Sequence, residues 1–166
     1  MILYEYAPVF EKRKEKLLVG LSLFLAAALY LGSQIPSAPL PWLLQVLAMV
    51  PLVALVMLTS LCLLRRYVYR IEQREDGELD FIIDEYSGKR KTTVCRVAVS
   101  SVLSVDLWDA SARKKLSEAE KGRQFFNYTG VLFDEKQFLI EIREGGTLFF
   151  VRMCADERLI ALLGEL

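Results

Sequence analysis

From Leu17 to Leu64 no side chain carries a formal charge, and beyond Tyr67 the pattern changes to short alternations of apolar and polar residues. The uncharged stretch divides into two helix-length runs. Leu17 to Ser33 predicts a helix about 26 Å long and Trp42 to Leu64 one about 34 Å long, against a hydrocarbon core about 30 Å thick. Between them, Gln34-Ile35-Pro36-Ser37-Ala38-Pro39-Leu40-Pro41 holds three prolines in six residues, which ends one helix and turns the chain. Pro51 falls inside the second run, where a spanning helix tolerates it with a kink. Residues 17–64 therefore predict a transmembrane helical hairpin. The first run begins behind an acidic and aromatic leader, and no small-residue cleavage site follows it, unlike a cleaved signal peptide.

The flanks set the expected orientation. Lys12, Arg13, Lys14 and Lys16 precede the first run, Arg65, Arg66 and Arg70 follow the second, and the turn has no basic residue. Both termini are expected in the cytoplasm. Trp42 at one end of the second span, with Tyr67 and Tyr69 at the other, suits the interfacial aromatic belts. Neither span holds an ionisable residue of the kind a proton relay or ion path needs, so the hairpin reads as an anchor. Gly20, Ala26, Ala27, Ala28 and Gly32 give the first helix a small-residue face suited to close helix contact. In residues 1–16, Ile2, Tyr6 and Val9 share a helical face that Pro8 interrupts. A short interfacial segment is expected there, with a basic cluster serving as a topology signal near anionic headgroups.

Residues 65–166 predict a cytoplasmic β-rich domain. Tyr67, Tyr69 and Ile71 alternate with Val68, Arg70 and Glu72, and Asp76-Gly77 marks a hairpin turn. Leu79, Phe81 and Ile83 alternate with Asp80, Ile82 and Asp84, which gives the two aspartates the solvent-facing parity. After the turn Ser87-Gly88-Lys89-Arg90, Thr92 to Val99 and Val102 to Trp108 complete four strands in meander order. Asp109 to Gly122 is polar and breaks the pattern. A loop with one helical turn is expected, with capping-box spacing at Ser117-Glu118-Ala119-Glu120. Strands resume at Gln124 to Thr129 and Phe138 to Arg143, and Gly145-Gly146 turns the chain into Leu148 to Met153. Asp156 then caps a last helix whose Leu159, Ile160, Leu163 and Leu166 form an apolar face for the open end of the sheet.

The 21 basic and 21 acidic residues balance, so no basic excess points to nucleic acid. The chain has no histidine, which removes the commonest general base and the Ser-His and Cys-His pairs. Its three cysteines, Cys62, Cys95 and Cys154, show no CxxC spacing. They read as small buried hydrophobes rather than metal ligands or disulfides. No phosphate-binding glycine loop is present, and no cofactor is expected. Asn127-Tyr128-Thr129 matches a glycosylation sequon, but on the expected cytoplasmic side it is a coincidence.

A membrane hairpin, seven strands and one closing helix is the order of the bacterial membrane proteins that join two transmembrane helices to a pleckstrin-homology (PH)-like domain, including the YcxB-like group. The chain resembles them at Tyr67-Val68-Tyr69-Arg70-Ile71, Gly77-Glu78-Leu79, Lys91-Thr92-Thr93-Val94-Cys95-Arg96-Val97, Val99-Ser100-Ser101-Val102 and Ala155-Asp156-Glu157-Arg158-Leu159. The resemblance implies an α+β membrane protein: a transmembrane helical hairpin followed by a PH-like antiparallel β-sheet or barrel with a C-terminal capping helix. It also implies a non-enzymatic, membrane-tethered domain, and it carries over no site residues.

The function expected is an interaction module held against the bilayer, binding a membrane-protein partner, a second copy or anionic lipid headgroups. The candidate contacts are Arg65, Arg66 and Arg70 at the membrane face and Lys89, Arg90 and Lys91 in the second hairpin turn. An accessory or assembly subunit of a larger membrane complex is the narrower alternative. A membrane-surface enzyme would have to use Asp80, Asp84, Glu85 or Asp106.

Overall fold

The computed structural model describes residues 1–9, 12–36, 40–119, 124–132 and 136–164. The chain is α+β, with two apolar helices near its N-terminus, two four-stranded sheets and a C-terminal helix. It divides into two compact units, Phe10–Arg65 on the one hand and Met1–Val9 with Arg66–Leu166 on the other.

In the first unit, α1 spans Arg13–Ser33 and α2 spans Pro41–Leu58, continued by a π-helical turn at Thr59–Leu63. Arg13–Ser33 (21 residues) and Pro41–Leu63 (23 residues) are long and apolar enough to cross a membrane. Pro41 opens α2 at the position where a missing N–H costs nothing. The helices bury a narrow stripe: Glu15, Val19, Ser22, Ala26, Leu29 and Ser33 on α1, and Leu44, Ala48, Pro51, Leu55, Leu58 and Cys62 on α2. Both stripes step alternately by four and three residues, the 3.5-residue repeat of a left-handed knobs-into-holes seam. Outside the seam large apolar side chains face outward, with Phe24 71%, Val50 67% and Trp42 61% exposed. Lys12 Nζ donates to the carbonyls of Cys62 and Arg65, supplying donors to the open C-terminal end of the second helix. The expected small-residue face is not the packed one. Ala26 is buried, but Ala27 and Ala28 are exposed, and a Cβ on Gly20 or Gly32 would meet nothing within 4 Å. The 3.5-residue repeat carries the seam past those glycines.

The second unit begins with a strand that the sequence reading placed at the lipid interface. β1, Ile2–Tyr6, pairs antiparallel with β2, Arg65–Gln73, and sets Tyr6 opposite Tyr69. Tyr4 and Tyr6 point inward and Leu3 and Glu5 outward, a period of two rather than the helical spacing of Ile2, Tyr6 and Val9. β3, Leu79–Ser87, and β4, Arg90–Ala98, complete the order β1-β2-β3-β4. A 3₁₀ turn at Val99–Ser101 then carries the chain away, so β5, Val102–Leu107, leaves the expected meander and joins the second sheet.

Asp109 to Gly122 was expected to be mostly loop. Instead α3 spans Ala110–Ala119, and its cap is Asp109, whose Oδ1 accepts the Ala112 N–H at 2.9 Å. Glu120 and Gly122 lie outside the described residues, as do Phe10, Ser37 to Pro39 and Leu166. β6, Gln124–Asn127, β7, Gln137–Glu144, and β8, Thr147–Cys154, finish the second sheet in the order β5-β7-β8-β6. β7 is antiparallel to both neighbours, but β6 runs parallel to β8, so the domain is not wholly antiparallel. At the β7–β8 turn Gly145 and Gly146 adopt φ of +56° and +81°, the pair of positive values that a type I′ turn demands.

The core lies between the inner faces of both sheets. Tyr69, Ile71, Phe81, Ile83, Ile140, Ile142, Val151 and Met153 are buried together, with Leu159 and Leu163 of α4 (Glu157–Gly164). As the sequence predicts, Asp156 caps α4, its Oδ1 accepting the Leu159 N–H at 2.9 Å. The same carboxylate accepts the Tyr4 hydroxyl, tying the N-terminal strand to the last helix. α3 covers the outer face of the second sheet, where Ala112, Leu139 and Phe150 are buried beside Trp108, Leu116 and Leu148.

Candidate functional site

The outer face of the first sheet gathers two of the six basic residues singled out above. Asp84 on β3 is fully buried although its parity points away from the core. Arg70 Nε lies 2.7 Å and Lys91 Nζ 3.1 Å from its Oδ2, and Thr93 Oγ1 donates to Oδ1 at 2.7 Å. Arg70 also meets Glu72 at 2.6 Å. Four residues before Asp84 and on the same parity, Asp80 is 1% exposed and held by Arg74 Nη2 and Arg96 Nε, each at 2.9 Å. The expectation that Asp80 and Asp84 face solvent is therefore corrected: long basic side chains from β2, the turn after it and β4 lie over them and keep water out. Arranged this way they are acceptors in ion pairs, each occupied by two cations.

The other four basic residues do not join this network. Arg66, Lys89 and Arg90 are exposed with no side-chain partner among the described residues, and Arg65 opens β2 half-buried. Lys89 and Arg90 sit at the β3–β4 turn, where Ser87 pairs with Arg90. Arg74 and Arg96 were not anticipated. Their signal was available, since Arg74 adjoins the Asp76-Gly77 turn and Arg96 falls opposite Ile82, beside Asp80.

A second polar cluster fixes α3 to its sheet. Lys115 Nζ reaches Glu141 at 2.8 Å, Asp106 at 2.9 Å and Ser104 Oγ at 2.8 Å. Burial alone would depress this amine, but its bonds to Asp106 and Glu141 outweigh that and hold it above its ordinary value. A shallow hollow of about 210 Å³ lies beside it, lined by Asp106, Leu107, Asp109, Ser111, Ala112 and Lys115. Among the described residues no three His, Cys, Asp or Glu side chains converge as a metal set would.

Burial pushes the Cys95 thiol up to about 11 and the Tyr128 phenol up to about 12. A raised value means that the fold favours the neutral form. Stability from both groups is complete below their unfolded values, near pH 9 to 10, and is lost as pH rises through the folded ones. Thermal melts from pH 8 to 11.5 should show a decline beginning above about pH 9, with Cys95 contributing on the order of 2 kcal/mol. Cys95→Ala should flatten its onset. A flat profile across that range would contradict the burial of both groups.

Comparison with protein-family models gives no match, and neither do comparisons with curated proteins and with solved structures.

Proposed function

We propose that the chain is a membrane-anchored interaction module, with the hairpin in the bilayer and a PH-like, non-catalytic β domain on the cytoplasmic side binding lipid headgroups or a membrane protein. The observation that carries this reading is the pairing of β1 with β2 on either side of the hairpin in sequence. Two strands of one sheet must lie on the same side of a bilayer, so residues 10–65 must cross it an even number of times. Two helices of spanning length, apolar outside a single seam, meet that condition. Basic residues at both outer ends support a cytoplasmic position for that side. Two sheets closed by α4 support the PH-like reading, with an eighth strand and one parallel pair beyond its usual pattern.

The exposed cations Arg66, Lys89 and Arg90 are the proposed contacts. Lys91 and Arg70 are engaged with Asp84, so their replacement would disturb the sheet as well as any partner. Photo-crosslinkers placed at Lys89 and Arg90 in native membranes should capture a lipid or a membrane protein, and Arg66→Glu should reduce the yield. The chain should also stay in the pellet through alkaline carbonate washing, with its β domain shielded from protease added to intact cells. Release into the carbonate supernatant would remove the anchor, and empty crosslinking at both positions would remove the interaction module.

A further inference from the structure

A patch on the outer face of the second sheet carries cations that no carboxylate among the described residues pairs. Trp108, just past β5, lies against two guanidiniums: Arg152 of β8 at 4.3 Å and Arg113 of α3 at 5.5 Å from its ring centre. Phe125 of β6 stacks on the same indole at 6.4 Å and is 41% exposed. Arg152 Nε and Nη2 both donate to Gln137 Oε1, so the one acceptor of that amide is taken. Gln137 itself is 1% exposed, and its Nε2 donor has no partner among the described residues. No described carboxylate lies within ion-pair distance of Arg113 or Arg152, whereas Arg70, Arg74, Lys91, Arg96 and Lys115 each have one.

We propose that Arg113, Arg152 and Gln137 form a binding site for an oxyanion, a carboxylate or phosphate, carried on an aromatic or apolar body that lies against Trp108 and Phe125. Two independent observations point the same way. A donor buried as deeply as Gln137 Nε2 is costly to leave unpaired unless something accepts from it. Two neighbouring guanidiniums without a carboxylate among the described residues leave a donor-only site, and fork-shaped donors match a planar or tetrahedral oxyanion. Burial lowers Arg152; Cys154 works against that, and the positive charge of Arg113 adds to it. The aromatic walls select an organic anion over a bare one. This site goes beyond the function proposed above and does not depend on it.

The chain has two tryptophans, so Trp42→Phe leaves Trp108 as the sole fluorescent reporter. The full chain in detergent is titrated with phenyl phosphate and with benzoate at constant ionic strength, and with neutral benzyl alcohol as control. Saturable change of the Trp108 emission is expected for at least one anion, and the tighter of the two tells phosphate from carboxylate. Arg113→Gln, at an exposed position, should weaken it about tenfold, and Arg152→Lys should do the same while the melting temperature stays near the parent value. No saturable change, or an equal response to benzyl alcohol, overturns the proposal. Residues 133–135 lie outside the described residues and include Asp134 and Glu135. A response that emerges only in Asp134→Asn/Glu135→Gln would mean the chain supplies its own anion, and also overturns it.

Discussion

Removing residues 10–65 and joining Val9 to Arg66 through a glycine–serine linker of about six residues should turn this chain into a water-soluble protein with a cooperative melt. The same chain begun at Arg66 should aggregate. The first variant keeps every element of the β unit, because Met1–Val9 and Arg66–Leu166 form one compact body. The second loses β1. It thereby uncovers the N–H and C=O groups along β2, the stacking of Tyr6 on Tyr69 at 6.2 Å, and the Tyr4 hydroxyl on the α4 cap. A long unpaired edge beside a partly opened core is an aggregation site. Size-exclusion chromatography and circular dichroism of the two variants decide the matter. Equal behaviour would mean that β1 contributes nothing to the domain.

Asp84→Ala should lower the stability of the β unit by about 3 kcal/mol, since it strands Arg70 and Lys91 over a site from which water is excluded. It also leaves Thr93 Oγ1 without its acceptor. Glu85→Ala, one residue on, should cost far less, because that side chain is half-buried. The double change Asp84→Leu with Arg70→Met should recover a large part of the loss, as apolar pairs often replace buried ion pairs at little cost. Denaturant melts of the hairpin-free variant give all three numbers. A loss below about 1 kcal/mol for Asp84→Ala would show that the network is no stronger than a surface ion pair.

Alternation of apolar residues located seven strands and the last helix closely, because all of these but the exposed β6 set one face on a core. What the pattern could not carry was the partner of each strand. β1 is five residues long and its mate β2 lies on the far side of the hairpin, so nothing local distinguishes it from an interfacial segment. The parallel pairing of β6 with β8 is likewise a long-range register. α3 was missed because its inward face is only Ala112, Leu116 and the stem of Lys115, too thin a stripe to stand out in a polar stretch. At the candidate site Arg70 and Lys91 were legible as exposed-face cations. Their meeting at Asp84 was not, since parity says which face a side chain takes but not what lies over it. Trp108 read as the end of a strand, and its two guanidiniums come from β8 and α3, far along the chain.

The placement of the helices between two mated strands sets a timetable for making this protein. β1 leaves the ribosome about sixty residues before the segment it must zip to, and waits unmatched meanwhile. With the hairpin in the bilayer, as proposed above, the sheet would close only after both helices had crossed and returned the chain to its starting side. A nascent molecule with one helix stranded in the wrong orientation would hold its two strands in different compartments. On that reading, closure of the β unit depends on correct insertion, and a misthreaded copy keeps an unfinished sheet.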